Sequence, residues 1–146
     1  RRSTSTYGYN GYYLSPSKTP GWSGSIGAQK WKRLCDIARP TDLLTFADTL
    51  LPTSPTRLPR STALLDPPML YQGDGAWEPN PYPTTAFRHG VPKPSAGVTG
   101  NAAGATADGS ARVHGAEPVW IVHRSHRVGS VGTDNGPFYV PDWKRW

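Results

Sequence analysis

The chain has 146 residues, of which 16 are proline and 16 are glycine, and it carries a formal net charge of +6. Its Leu, Ile, Val and Phe content falls below the level at which a chain of this length usually builds its own core. The single cysteine excludes an intrachain disulfide framework and a multi-cysteine metal site. No run of apolar residues is long enough to span a bilayer as a helix.

The aromatic content points the other way, since the chain holds six Trp and seven Tyr. Disordered chains are poor in aromatic residues, whereas frequent proline and glycine disfavour long helices and strands. The sequence therefore predicts a mostly irregular, extended coil with little independent core. Such a chain would bury its aromatic side chains in the surfaces of other proteins.

The first predicted segment is an extended aromatic and basic arm over residues 1–24. Its tyrosines follow neither a helical nor a strand period, which is typical of amphipathic contacts on a surface. The start Arg1-Arg2-Ser3 resembles the surroundings of a mitochondrial cleavage site. Two interpretations stay open: a terminus left after import into an organelle, or a start that reflects only how the sequence was obtained.

Residues 25–51 carry the helical signal, and we expect a corner of two short helices near residues 26–51. The apolar face of the first helix is formed by Trp31, Leu34, Cys35 and Ala38. Pro40 ends that helix, and Thr41 is the expected N-cap of the next one. The apolar face of the second helix is formed by Leu43, Phe46, Ala47 and Leu50.

Two further segments are predicted to be extended. Residues 52–96 are rich in proline, which favours a stiff strap in polyproline and turn conformations. Residues 97–111 consist mainly of Gly and Ala, which indicates a flexible linker or a coil that passes through a narrow gap.

The last segment, residues 112–146, predicts a small β-hairpin followed by an aromatic tail. Residues 119–122 (VWIV) form the expected strand, and residues 128–131 or 138–140 are its expected partners. A hairpin of this size is only marginally stable by itself, so we expect it to need a partner.

Few residues suggest chemistry. His123 and His126 could hold a metal only if further ligands converged on them, so solvated or RNA-facing histidines are the preferred interpretation. Cys35 lies beside basic residues, but its helix spacing predicts a small core residue rather than a nucleophile. The sequence therefore predicts no catalytic residue, no metal, no cofactor and no enzymatic activity.

The aromatic and basic residues are instead predicted to contact other molecules. The predicted interface anchors are Tyr12, Tyr13, Trp22, Trp31, Tyr71, Trp77, Tyr82, Phe87, Trp120, Trp143 and Trp146. The predicted basic contacts are Lys30, Lys32, Arg33, Lys144 and Arg145. For Trp143 and Trp146 two interpretations stay open: terminal anchors in a partner, or packing on the chain's own hairpin.

One stretch carries a family resemblance. VGTDNGPFYVPDW, residues 131–143, resembles part of a soluble accessory subunit of respiratory complex I that is related to the mimitin-type assembly factor. VPDWKRW, residues 140–146, is similar to the proline-tryptophan segment of that family. The two pieces abut here, and a proline follows Gly136, which departs from the family's pattern. The resemblance implies an accessory subunit without catalytic residues.

These observations predict a non-catalytic accessory subunit of a mitochondrial respiratory-chain or ATP-synthase complex, peripheral to the inner membrane. It would tether several protein subunits of a hetero-oligomeric complex, and anionic lipid head groups are further candidate partners. The alternative is a mitochondrial ribosomal protein, because basic and aromatic residues alternate in KWKR (30–33) and WKRW (143–146).

Overall fold

The computed structural model describes residues 6–53, 57–90 and 100–146 of the chain. Within these ranges the protein is mostly β-structure, built around a curled antiparallel sheet with a buried core. The expectation of a mostly irregular coil with little independent core is therefore wrong. Among the described residues, no helix has the length and apolar character needed to cross a membrane.

Nine strands and two short α-helices occur in the part of the chain that the structure describes. The strands are β1 Thr6–Tyr9, β2 Leu44–Thr49, β3 Met69–Gly73, β4 Ala76–Pro79, β5 Thr85–Ala86, β6 Asn101–Thr106, β7 Ala111–Gly115, β8 Ile121–His123 and β9 Val128–Gly129. The helices are α1 Gly11–Leu14 and α2 Ser23–Ile26. Strands β3 and β4 form a separate hairpin, and the other seven strands form one sheet.

Strand β2 is the centre of this sheet. Thr49 pairs with Thr6 of β1 and with Thr85 of β5, whereas Ala47 pairs with β1 and β6. Because a strand has two edges, β1 occupies one edge of β2, and β5 and β6 share the other. Strand β7 continues the sheet from β6, whereas β9 and β8 continue it from β5. The sheet therefore divides beyond β2, and its two branches curl around the core.

The predicted helix corner is absent, because its second half is strand β2 itself. Thr45 and Thr49 are β-branched, and the pairing of β2 along both edges outweighs the helical spacing of its apolar residues. The first half is a loop with one 3₁₀ turn at Leu34–Asp36, in which Trp31, Leu34 and Cys35 are exposed. Cys35 is therefore not the core residue that its spacing predicted.

The predicted strap and linker also contain regular structure. The β3–β4 hairpin and β5 lie within the proline-rich segment, and β6 occupies the middle of the Gly/Ala segment. Small residues are required in β6, since a Cβ on Gly104 would lie 2.7 Å from Leu44 Cδ2 and 3.1 Å from the Phe46 carbonyl oxygen. Residues 54–56 and 91–99 of these two segments lie outside the described residues.

The C-terminal hairpin exists as β8 and β9, but β9 also pairs with β5, so the hairpin is one end of the large sheet. Residues 138–140 supply no strand to it. Instead, Tyr139 and Val140 are fully buried in the core. The hairpin thus obtains its stability from the rest of this chain.

Buried tyrosines replace much of the missing aliphatic volume. Tyr12, Tyr13 and Tyr139 are the largest fully buried side chains. Burial of a tyrosine is compatible with folding where its hydroxyl finds a partner, which holds for Tyr12 and Tyr139 but not for the Tyr13 hydroxyl among the described residues. The Tyr12 hydroxyl accepts a hydrogen bond from the Tyr71 amide at 2.8 Å, and the Tyr139 hydroxyl accepts one from the Val131 amide at 2.7 Å. Burial raises the pKa of both tyrosines to about 12, so both remain neutral at physiological pH.

Asn10 joins three parts of the chain. Its side chain is 0 % exposed, and Nδ2 donates to the Leu44 carbonyl of β2 and to the Tyr139 carbonyl, each at 2.9 Å. Its Oδ1 accepts from the Tyr13 amide at 3.3 Å and so caps α1. One amide therefore fixes the positions of α1, the central strand and the C-terminal segment.

Replacing Asn10 by alanine should lower the free energy of unfolding by about 2–4 kcal/mol, because two buried carbonyls lose their donor. Urea unfolding followed by tryptophan fluorescence measures this loss. The matched control is Gln72→Ala, which removes an exposed amide from β3 and should change stability by less than about 0.5 kcal/mol. Equal effects of the two substitutions would contradict the role given to Asn10.

Candidate functional site

The structure divides the predicted interface anchors by exposure. Trp31 and Tyr82 are exposed. The partly buried anchors are Trp22, Trp77, Trp120, Trp143 and Trp146. The buried anchors are Tyr12, Tyr13, Tyr71 and Phe87. The prediction is wrong for this last group, because these side chains fill the protein's own core and cannot contact a partner.

The two terminal tryptophans pack on this chain. The Trp146 ring stacks on Tyr12 with their centroids 6.2 Å apart, and it also contacts Tyr71 and Trp77 at 5.8 and 5.4 Å. The Trp143 ring meets the edge of Trp77 at 5.6 Å. Both rings therefore pack on their own chain, while their role as anchors in a partner stays a prediction. However, the tryptophans pack against α1 and the β3–β4 hairpin rather than against the C-terminal hairpin.

The two predicted basic motifs lie side by side. Lys32 Nζ lies 3.3 Å from Asp142 Oδ2, which ties the loop of residues 29–39 to the tail of residues 141–146. Lys32 Nζ also lies 4.7 Å from the ring centroid of Tyr13. Because this ammonium group is partly buried and already paired, Lys32 is a structural residue rather than the surface contact that the sequence predicts.

We call the surface formed by residues 29–39 and 141–146 the docking face. Its exposed cations are Lys30, Arg33, Arg39, Lys144 and Arg145. Arg39, Lys144 and Arg145 line a shared cavity of about 450 Å³. The exposed apolar side chains of the face are Trp31 and Leu34. Residue Trp31 is 56 % exposed, and its indole N–H donates a hydrogen bond to Ser17 Oγ at 2.6 Å.

Sequence reasoning missed a buried carboxylate at the point where the sheet divides. Asp48 is 2 % exposed, and its Oδ2 accepts from the Ala103 amide and contacts His89 Nε2, each at 2.8 Å. Arg88 Nη2 donates to the Thr49 carbonyl at 2.8 Å. These contacts join β2, β6 and the two residues Arg88 and His89 that follow β5, so the cluster stabilises the junction. Its residues are far apart in sequence, and no local pattern indicates that they meet.

A second buried acid, Asp66, was also missed. It is 7 % exposed, and its Oδ1 accepts a hydrogen bond from the Trp22 indole at 2.8 Å. Burial raises the pKa of Asp66 to about 6, an effect only partly offset by this hydrogen bond. Its sequence context, an aspartate before two prolines, is typical of a turn and gives no indication of burial.

The predicted histidines do not form a metal centre in the described ranges. His123 stacks on Tyr82 with ring centroids 5.7 Å apart, and its Nε2 contacts the Pro81 carbonyl oxygen at 3.1 Å. No group of three or more His, Cys, Asp or Glu side chains that could hold a metal ion occurs among residues 6–53, 57–90 and 100–146.

No protein-family model, curated protein or solved structure matches the chain.

The position of Trp146 predicts a stability effect. Trp146→Ala should lower the free energy of unfolding by roughly 2–4 kcal/mol, because a partly buried ring leaves a cavity among aromatic neighbours. Trp31→Ala is the matched control, since the same side chain is removed from an exposed site, and it should cost less than about 1 kcal/mol. Urea unfolding measures both, and a smaller loss for Trp146→Ala than for Trp31→Ala would refute the packing described.

The position of Asp66 predicts a pH effect. Its pKa of about 6 in the folded protein exceeds the ordinary 3.8, so the folded state binds this proton more tightly than the unfolded state does. The contribution of Asp66 to stability therefore falls as pH rises from about 4 to about 6, by up to roughly 3 kcal/mol.

Asp66→Asn should remove that decline and be more stable than the wild type at pH 7.5. The amide stays neutral and can still accept from Trp22. Urea unfolding at several pH values between 4 and 8 measures the difference between the two proteins. Asp74→Asn, on the exposed β3–β4 turn, is the matched control, and its free energy of unfolding should change with pH as that of the wild type does. A constant difference between Asp66→Asn and the wild type across this range would exclude a raised pKa.

Proposed function

We propose that the protein is a non-catalytic accessory subunit that docks on an acidic surface of a neighbouring subunit in a hetero-oligomeric complex. The observation that carries the proposal is the Lys32–Asp142 pair, which brings two basic segments onto one face. Each segment alone is a short run of charge, whereas together they place five exposed cations beside the single exposed carboxylate of Asp36, which gives the face a net positive charge.

The composition of the docking face supports protein recognition. The exposed ring of Trp31 and the exposed side chain of Leu34 offer apolar contacts, and tryptophan and arginine are enriched among the residues that dominate binding energy at interfaces. The surrounding cations would steer an acidic partner and fix its orientation, and they would contribute less to affinity itself.

The fold changes how such a subunit would act. A chain with its own core presents a preformed surface, so docking does not require the whole chain to order itself on its neighbours. The segment that resembles the complex I accessory family has an internal role here: the Asn135 side chain bonds the Met69 amide and carbonyl, each at 3.0 Å. The mitochondrial location and the respiratory-chain complex stay predictions.

The RNA-binding alternative uses the same face, because an exposed indole among cations also suits stacking on unpaired bases. The two alternatives differ in their dependence on salt and on nuclease. Phosphate contacts weaken steeply as salt rises, whereas contacts that bury Trp31 and Leu34 resist it.

Reversing the charge of the docking face should release the protein from its complex. In extracts of the source cells we expect the wild type to sediment with a mass far above its own 15.9 kDa. Lys30→Glu/Arg33→Glu should shift it to the monomer position, because both carboxylates would face an acidic partner. Sucrose-gradient sedimentation followed by immunoblotting measures the distribution.

The matched control is Arg57→Glu/Arg124→Glu, which makes the same charge change at exposed sites outside the docking face and should sediment like the wild type. Nuclease treatment of the extract separates the alternatives, because only an RNA-bound protein would be released by it. Monomeric sedimentation of the untreated wild type would overturn the proposal altogether.

A further inference from the structure

An open cleft of about 520 Å³ lies where the end of β2, strand β3 and the connection from β4 to β5 approach α2. Its walls are mainly apolar and are formed by Trp22, Leu51, Pro52, Leu70, Pro81 and Tyr82. The volume is within the range of pockets that hold small organic molecules. None of these residues belongs to the docking face, so the cleft is a separate feature of the surface.

Asp66 lines this cleft together with two uncharged polar residues, Thr53 and Asn80. The Asp66 Oδ1 accepts from the Trp22 indole at 2.8 Å, and no donor among the described residues reaches its Oδ2. Within the described ranges, Asp66 also takes part in no ion pair. One oxygen of a carboxyl that is more than nine-tenths buried therefore remains available to a ligand.

Neighbouring hydrogen bonds hold this carboxyl in place. The Asp66 amide donates to Thr84 Oγ1 at 2.8 Å, and that hydroxyl donates to the Leu64 carbonyl at 2.9 Å. Asn80 Nδ2 donates to the carbonyl of Pro67, the residue after Asp66, at 2.8 Å. A binding group whose backbone is fixed by its surroundings loses little freedom when a ligand arrives.

We propose that this cleft binds a small organic cation, with a primary ammonium group on Asp66 and a flat apolar body between the walls formed by Trp22 and Tyr82. A buried carboxylate without a counter-charge is costly, and a cation that pairs with it removes much of that cost.

Other ligand classes fit the cleft less well. An anion would be repelled by Asp66, which is the only formally charged residue among the described residues that line the cleft. A hard divalent metal ion prefers several oxygen ligands, whereas the cleft offers one carboxylate. Thr53 and Asn80 also line it, but the Asn80 side chain already bonds the Pro67 carbonyl and the Tyr82 amide. A neutral apolar molecule would fill the walls but leave the buried carboxylate unpaired.

Phenethylammonium is a suitable probe, because it joins a primary ammonium group to a flat ring, and 2-phenylethanol is its neutral analogue. The experiment titrates each compound into the full 146-residue chain at pH 7.5, where Asp66 is ionised. Two-dimensional ¹H–¹⁵N NMR follows the binding. The Trp22 indole N–H is a direct reporter, since it donates to Asp66.

We expect phenethylammonium to shift the Trp22 indole signal in a saturable way, with a dissociation constant of roughly 1 mM or lower. The neutral alcohol should bind at least tenfold more weakly. Asp66→Asn should reduce the affinity for phenethylammonium at least tenfold and leave that for the alcohol unchanged. Asp74→Asn, which removes an equal charge from an exposed turn, should bind phenethylammonium as the wild type does.

A second variant keeps the proposal testable if Asp66→Asn fails to fold. Tyr82→Leu keeps an apolar wall at a partly exposed site and should weaken phenethylammonium and the alcohol by a similar, several-fold factor, because both probes would lose the same flat wall. Equal affinities of the amine and the alcohol, or an unchanged affinity in Asp66→Asn, would overturn the proposal. So would the absence of a saturable shift. None of these results depends on whether the docking face binds a partner.

Discussion

The fold depends on the buried side-chain amide of Asn10. Strands of two to six residues provide few ladder bonds each, so the elements must also be joined by contacts between them. One Nδ2 group satisfies carbonyls of β2 and of the C-terminal segment, which lie 34 and 129 positions from it in sequence. The same link between α1 and the C-terminal segment is accompanied by the stacking of Trp146 on Tyr12 and Tyr13 of α1.

The sequence indicates short elements and the C-terminal hairpin, but it does not indicate the sheet. In β2, the apolar residues from Leu43 to Leu50 fit a helical period, and the pairing partners that override it come from residues 6–9, 85 and 101–106. Pairing between such distant segments leaves no local pattern. The small residues of β6 resemble a linker for a similar reason, because their size reflects the close approach of β2 to Gly104.

The candidate site is predictable in its chemistry and not in its geometry. Basic residues beside tryptophan are evident in both motifs, whereas the Lys32–Asp142 contact that joins them spans 110 positions. The same contact shows that a basic residue in the sequence need not be available for binding. The pairing with Asp142 partly buries Lys32, whereas the cations on either side of it are exposed. Asp66 was beyond prediction, because its burial depends on Trp22 and Thr84, which lie in other parts of the chain.

A core built with tyrosine, tryptophan and threonine must satisfy more polar atoms than a core of leucine and valine. The hydroxyls of Tyr12 and Tyr139 and the amide of Asn10 meet this requirement with backbone partners. The Tyr13 hydroxyl and His114 Nε2 lack a hydrogen-bond partner among the described residues. One oxygen of Asp66 likewise receives no hydrogen bond from the described residues, and Asp66 lines an apolar cleft. The free energy of folding gains nothing from that oxygen. Local departures of this kind are expected where a protein recognises something else, and the cleft is therefore the place where chemistry outside the fold should be sought.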